Sequence, residues 1–248
     1  MKIAALYDIH GNLPALNAVL EELEEIKPDS IVIGGDIVSG PMPKQSLEQV
    51  LSLNEKANFI RGNGDREVVM AFDGKTLPSA MSEKGREKTQ WVAEQLTNVQ
   101  IGFLSELPTT ITVSVDGLGD ILFCHATPSS DEDIFTPLTS QEQVTDIFSD
   151  VQQKTVICGH THMQFERRVG DTRIFNAGSV GMPFADEPGA YWILINPEGV
   201  EYRRTTYDFE NAAQEIKASG DPQGTEFAEK NVLEIPTAKE AAKLLERT

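Results

Sequence analysis

The sequence predicts a mixed α and β chain that opens with a β-α-β unit. Three observations carry this expectation. Residues 2–7 form a short apolar run suited to a buried strand. Leu13, Leu16, Leu20 and Leu23 then recur at spacings of three and four, the period of an amphipathic helix. Ile31-Val32-Ile33 is a second apolar run, ending in Gly34-Gly35-Asp36.

The elements follow in order. Asn12 stands where an N-cap is expected, Pro14 falls in the first turn, where proline is tolerated, and the helical period stops before Pro28. Phe59-Ile60 closes a third strand and is again followed by glycine and polar residues. Residues 64–106 read as helices broken at Gly74 and Pro78. After Pro108 the pattern changes to short strands at 110–115, 120–125, 154–158, 165–169, 172–176, 190–195 and 200–206. Gly117, Gly170-Asp171 and Pro197-Glu198-Gly199 supply turn signals among them. Residues 131–150 read as a loop followed by a helix, and 208–247 as helical with a break at Gly220-Asp221-Pro222. With no internal repeat, low-complexity tract or linker, residues 1–248 are expected to form a single domain with a helical C-terminal appendage at about 208–248.

Composition narrows the function classes. Of 248 residues, 40% are apolar and 24% charged, which excludes disordered and collagen-like chains. No run approaches the ~18 uninterrupted apolar residues of a membrane span. The apolar stretch at the start is too short for a signal peptide. Two cysteines, Cys124 and Cys158, do not make a disulfide framework, so a cytoplasmic protein is expected. The net charge of −18 disfavours broad docking on nucleic acid or anionic membrane. A phosphate substrate would need a local attractor, and a metal cluster would supply one.

The chain has four histidines: His10, His125, His160 and His162. Each lies at or just past the expected end of a strand, as do Asp8, Asp36 and Asn63. Strand ends and the loops after them are where α/β architectures gather functional groups. Aspartate, histidine and asparagine in such numbers match a divalent transition-metal site. The local patterns are Asp8-Ile9-His10, Gly35-Asp36, Gly62-Asn63-Gly64-Asp65 and Gly159-His160-Thr161-His162. In an extended segment residues i and i+2 share a face, so Asp8/His10 and His160/His162 are expected to converge in pairs.

These motifs, in this order and reaching from Asp8 to about Gly181, resemble the calcineurin-like metallophosphoesterase superfamily, in its single-domain prokaryotic phosphodiesterase-like branch. The resemblance implies an α+β fold, a four-layer sandwich of two central mixed β-sheets flanked by helices. It also implies two divalent metal ions at the sheets' C-terminal edge. By position, one ion would be held by Asp8, His10, Asp36 and His162, and the other by Asp36, Asn63, His125 and His160, with Asp36 bridging. Manganese, iron, cobalt or zinc would suit such ligands. The implied activity is hydrolysis of phosphodiesters or activated monoesters by a metal-bridging hydroxide. The small-molecule phosphoester is then the expected partner. A nucleotide or dinucleoside polyphosphate hydrolase, or a non-catalytic metal-binding scaffold on the same fold, are the alternatives.

Two departures stand out against the better-known phosphatase branch. That branch carries a histidine after the motif asparagine as general acid, where this chain has Gly64. It also carries Asp and Arg shortly after the bridging aspartate, where this chain reads Ile37-Val38-Ser39-Gly40-Pro41. Metal-assisted phosphoester hydrolysis is therefore expected, but not protein phosphatase activity.

Around this set, Asp36, Asn63, His125 and Asp65 form the candidate catalytic group. Asp65 reads either as a carboxylate favoured by a helix N-terminus or as one that orients a ligand, and it is the available substitute acid. Arg66 and Arg61 flank the same loop and are the candidate phosphate clamp, Arg66 before Arg61. Asn176-Ala177-Gly178-Ser179 is expected to be a structural turn. Cys124 and Cys158, Trp91 and Trp192 are expected in the core, with Cys124 turned away from the metals by strand alternation.

Overall fold

A computed structural model of the chain describes residues 1–247. In chain order the elements are β1 (Ile3–Leu6), α1 (Leu13–Ile26), β2 (Ser30–Ile33), α2 (Pro43–Leu51), β3 (Ala57–Phe59), α3 (Asn63–Phe72), α4 (Glu83–Gln95) and α5 (Asn98–Ser105). They continue with β4 (Thr110–Val115), β5 (Gly119–Cys124), α6 (Gln141–Ile147), β6 (Thr155–Cys158), β7 (Gln164–Val169) and β8 (Thr172–Ala177). The last are β9 (Ala190–Asn196), β10 (Gly199–Thr205), α7 (Phe209–Lys217), α8 (Gly224–Ala228), a π-helical turn Glu229–Leu233 and α9 (Ala238–Leu245).

Two mixed five-stranded sheets result, ordered β10-β9-β1-β2-β3 and β4-β5-β6-β8-β7. The parallel pairs are β1 with β2, β2 with β3, β5 with β6 and β6 with β8. Their ends gather the loops that follow β1, β2, β3, β5 and β6. The buried strands are apolar on both faces, as sheets covered on both sides require. In β1, Ile3 and Ala5 join Phe123, Ile157 and Ile193 in a core between the sheets, while Ala4 and Leu6 pack outward with Leu16 and Val19 of α1. On the far side, Leu122, Cys124, Val156 and Cys158 pack against Val144 of α6 and Ala241 of α9. The layers are therefore helix, sheet, sheet, helix: the α+β sandwich. Cys124 and Cys158 are free and buried in the outer core, and Trp192 is buried with Trp91 partly so in the α1 layer.

One helix escapes the sequence pattern. In α2 the N-cap Met42 makes no side-chain cap bond, and its apolar anchors are Leu47 and Val50, with Leu51 partly buried beside them and Pro43 at the start. The C-terminal segment breaks at 234–237 as well as at 220–222. No helix among the described residues is long and apolar enough to cross a membrane.

Candidate metal centre

The loops after β1 and β2 stay in step beyond the strands. Asp8 N donates to Gly35 O at 3.1 Å, His10 N to Asp36 O at 2.8 Å and Gly11 N to Ile37 O at 2.9 Å. The backbone there is not extended. Asp8, His10, Asp36, His160 and His162 have φ of 54, 47, 51, 67 and 59°, and the other non-glycine residues at positive φ among the described residues are Lys27 and Asn54. The expected convergence of residues i and i+2 is thus made by left-handed kinks rather than by strand alternation, which corrects the reasoning behind it. Each kink costs about 1–2 kcal/mol, so the surroundings must hold it. The turn at 176–179 does part of this: Asn176 Nδ2 donates to Gly159 O (2.6 Å) and Thr161 Oγ1 (3.0 Å), and Ser179 Oγ donates to Asp8 O (2.7 Å). Strand ends also meet without room for side chains. A Cβ on Gly35, φ 91°, would lie 2.4 Å from Gly62 N and 2.8 Å from His125 Nδ1.

Asp8, His10 and His162 form one group whose ligand atoms lie within 4.8 Å of one another, and Asp8, Asp36 and His125 form a second. Asp36 faces both groups with separate oxygens, Oδ2 3.5 Å from His10 Nε2 and Oδ1 3.7 Å from His125 Nε2. Asp8 Oδ1 also faces both, at 3.4 Å from His162 Nε2 and 3.8 Å from His125 Nε2, although the resemblance assigns Asp8 to one ion only. His160 lies beside His125, ring centroids 5.2 Å apart, and its backbone N–H donates to Asp8 Oδ2 at 2.8 Å.

The histidine partners set which nitrogen is free. His10 Nδ1 meets Ser39 O (3.1 Å), His125 Nδ1 meets Gly34 O (2.8 Å) and His162 Nδ1 meets Met182 O (2.8 Å). A carbonyl can only accept, so each Nδ1 carries the proton and each Nε2 offers a lone pair. His160 is reversed: Nε2 donates to Glu132 O at 3.1 Å and Nδ1 is the free atom. His10 Nε2 and His162 Nε2 then lie 3.0 Å apart with lone pairs facing. Asp8 Oδ1, Asn63 Oδ1 and His125 Nε2 are buried without a hydrogen-bond partner. Acceptors turned on one another, and buried acceptors without donors, are costly unless a cation lies among them. The residues present fit metal ions.

The electrostatics of Asp8, His10 and His160 agree, while the carboxylates around His125 favour its protonated form until a cation replaces the proton. Burial would raise the Asp8 pKa, yet His162 and His125 hold it well below the usual carboxylate range. Burial and then His162 push His10 down, while burial and then His125 push His160 down to about 4. His125 is moved down by burial but further up by Asp36 and Asp8. Asp8 as carboxylate with His10 and His160 neutral are the ligating forms.

Asn63 opens α3, and the next residue, Gly64, donates its N–H to Asp36 Oδ1 at 2.7 Å. Asp65 does not face the centre. It is fully buried, Oδ1 accepting from Ile37 N (2.9 Å) and Val38 N (3.3 Å) and Oδ2 from Gly62 N (3.2 Å). The expectation of Asp65 as a catalytic group or substitute acid is therefore corrected: its oxygens bind backbone and hold the Asp36 loop against α3. Burial, and then Asp36, push its pKa up to about 7.

Arg66 and Arg61 are paired with protein carboxylates. Arg66 Nε and Nη2 donate to Asp131 at 2.9 and 3.0 Å, and Nη2 also to Glu132 at 2.6 Å. Arg61 Nη2 is 3.4 Å from Asp131. A cavity of about 210 Å³ lies among Arg61, Arg66, Thr109, Thr127, Ser129 and Ser130, with Asp131 and Glu132 also in its wall. The loop carrying Asp131 and Glu132 thus ties Arg66 to the carbonyl that orients His160. Reading the sequence missed Asp131 and Glu132; the acidic run Asp131-Glu132-Asp133 six residues after His125 was the available signal.

A family model for the calcineurin-like phosphoesterase superfamily domain matches residues 1–196. An uncharacterized protein from Methanocaldococcus jannaschii is 30% identical over 199 residues, covering 80% of this chain and 75% of its own length. The phosphodiesterase YfcE of Escherichia coli is 23% identical over 205 residues, covering 79% and 88%. The crystal structure of a metallophosphoesterase from Sphaerobacter thermophilus shares the fold at a TM-score of 0.72 and 22% identity, covering 97% and 99%.

Proposed function

Because the chain belongs to the calcineurin-like phosphoesterase superfamily, we propose that it is a dinuclear metal-dependent hydrolase of phosphodiesters or activated phosphomonoesters, with the seven residues Asp8, His10, Asp36, Asn63, His125, His160 and His162 as ligands. The observation that carries this reading is the set of buried acceptors without donors, Asp8 Oδ1, Asn63 Oδ1 and His125 Nε2, beside the facing Nε2 atoms of His10 and His162. Two divalent ions held there, of manganese, iron, cobalt or zinc, would acidify water and neutralise charge on phosphoryl oxygens.

The chain's own residues do the rest. Asp36 reaches both groups, and Gly64 N–H and Asp65 keep its carboxylate and loop in place. Ser39, Gly34 and Met182 carbonyls hold three imidazoles with Nε2 inward, and Glu132 O holds His160. Arg61, with the hydroxyls around the 210 Å³ cavity, would position a phosphate oxygen. Arg66 has one N–H of Nη1 left for this task, the other Nη1 hydrogen meeting Met70 Sδ at 3.9 Å and the remaining donors being bound to Asp131 and Glu132. The small-molecule phosphoester is the partner in this reading, and the location is cytoplasmic.

One observation favours a second substrate class within the same chemistry. A Cβ on Gly64 would lie 2.9 Å from Ser39 Cβ and 3.0 Å from Asp36 Oδ1, so the position holds no acid and has no space for one. Leaving groups that depart unaided, such as aryl oxides and the phosphates of nucleotide anhydrides, are then favoured over alkyl alcohols. The test is elemental analysis for metals together with a metal-supplemented hydrolysis screen across monoesters, diesters and nucleotide anhydrides. Two ions per chain and turnover of a diester or anhydride are expected. Metal-free protein with full activity, or metal-loaded protein inert to every substrate, would refute the reading.

A further inference from the structure

A second cavity, of about 430 Å³, opens behind the His10/His162 side of the centre. Two of its lining residues are Ser39 and Met182, whose carbonyls hold the rings of His10 and His162. The Ser39 side chain also occupies the space a Cβ on Gly64 would need, 2.9 Å from that position and beside Asp36 Oδ1. The cavity therefore begins one residue away from the ligands, at the two residues whose carbonyls orient His10 and His162.

Its other wall is built by α4 and by the segment from Gln223 to Asn231, which lies beyond the 1–196 family match. This wall is basic in an acidic protein. The lining carries Lys84, Lys88 and Lys230 against one carboxylate, Glu226, in a chain of net charge −18. Lys84 of α4 and Lys230 of the π-helical turn both bind Glu226, the latter at 2.9 Å, and Lys88 binds buried Asp221. Counting Asp221, three ammonium groups meet two carboxylates. Glu226 holds two ammonium groups from different elements at one point, and an ammonium has three donors, so each keeps donors for an anion. A helix interrupted by a π turn is often found at functional sites. The cavity volume lies within the ~300–1,000 Å³ of small-molecule sites.

We infer that this cavity receives the leaving half of the substrate, and that this half carries its own phosphate-type anion, bound by Lys84 and Lys230. The inference rests on the phosphoesterase reading and names its substrate class: phosphodiesters or phosphoanhydrides with a second anionic group beyond the scissile bond. In the reaction, water oxygen bonds to phosphorus as the bond to the leaving oxygen breaks. The electron pair stays on that oxygen, and the water's proton passes to solvent. The added negative charge on the departing half is then met by the lysines.

The test uses two aryl phosphodiesters of matched leaving-group pKa, one whose leaving phenol bears a phosphonate and one whose phenol does not. Wild type, Lys84→Ala/Lys230→Ala and Glu226→Gln are compared at low ionic strength in kcat/KM, and in calorimetric binding of the phosphonate-bearing phenol to protein without added metal. Wild type should prefer the phosphonate diester, the double variant should lose about tenfold of that preference and of phenol affinity, and Glu226→Gln should gain in both. Equal use of the two diesters by wild type, with binding unchanged in the double variant, would overturn the cavity assignment while leaving the phosphoesterase reading intact. Were neither diester hydrolysed under any metal, that reading would fall, and the binding arm would still decide whether the lysines hold the anion.

Discussion

Replacing His160 separately by glycine and by alanine gives a direct measure of the strain in the site. Both variants lose the imidazole and its bond to Glu132 O, so those losses cancel in the comparison. Both keep the residue-160 N–H, which donates to Asp8 Oδ2 in the parent. What differs is the backbone at φ 67°, where a Cβ costs about 1–2 kcal/mol. Against this, glycine loses about 0.5–1 kcal/mol through the greater freedom of its unfolded chain. At an ordinary position alanine is the more stable of the two. Here the sign should invert, glycine winning by about 0.75 kcal/mol at the middle of the two ranges, or about 2–3 °C in Tm for a chain this long. Urea and thermal unfolding in excess chelator measure it, since bound metal would add its own linkage. An alanine variant as stable as glycine or more so would refute the account of a strained ligand loop. The same metal-free measurement should find wild type less stable than His160→Gly if the imidazole contributes less than the kink costs.

Three further outcomes are expected. Asp36→Asn should lower the count of bound metal at both sites by elemental analysis, because its two oxygens face different groups; an undiminished count would sink the bridging assignment. Gly64→Ala should weaken metal binding about 10–100-fold, since its Cβ meets Asp36 Oδ1 at 3.0 Å and Ser39 Cβ at 2.9 Å. Pairing it with Ser39→Gly should restore part of the loss in a calorimetric titration, and failure of any loss to occur would show the loop to be soft. Asp221→Ala should destabilise the fold by about 2–3 kcal/mol, less than the ~3–5 of a fully enclosed pair, because it strands Lys88, whose side chain is 14% exposed. Adding Lys88→Met should recover most of that in urea unfolding, whereas an additive double variant would mean the pair is not the cause.

Much of this was legible in the residue order, and the limits have physical reasons. Strands and helices with strong periodicity, such as β1 and α1, were readable because burial on one face leaves a repeating apolar mark. Helix α2 was not, because it lacks a cap bond and buries few large side chains. The residues that meet at the strand ends could be named because four histidines all fell there, but their backbone could not. Left-handed φ at a histidine or aspartate leaves no compositional trace, unlike the glycine that marks such a position elsewhere. Asp65 was misjudged for a related reason. A carboxylate three residues into a loop-to-helix passage looks the same whether it faces a ligand or three backbone N–H groups, and only the closeness of Ile37 and Val38 decides it.

The cations near the centre pose the same problem of pairing, and it bears on how an acidic protein handles an anionic substrate. Arg61 and Arg66 are met by Asp131 and Glu132, and Lys84, Lys230 and Lys88 by Glu226 and Asp221. These carboxylates leave little net charge to attract a phosphate from a distance, so long-range attraction must come from the centre itself. Two divalent ions against Asp8 and Asp36 would leave about +2 there. The pairs act at short range: a planar fork from Asp131 fixes Arg66, and a shared carboxylate fixes two lysines that would otherwise sweep solvent. An arriving phosphate then meets donors already held in place and loses less to ordering them. On this account the acidic partners are what make the basic residues selective. Removing Glu226 should therefore tighten anion binding by unmasking charge while loosening discrimination among anions of different shape.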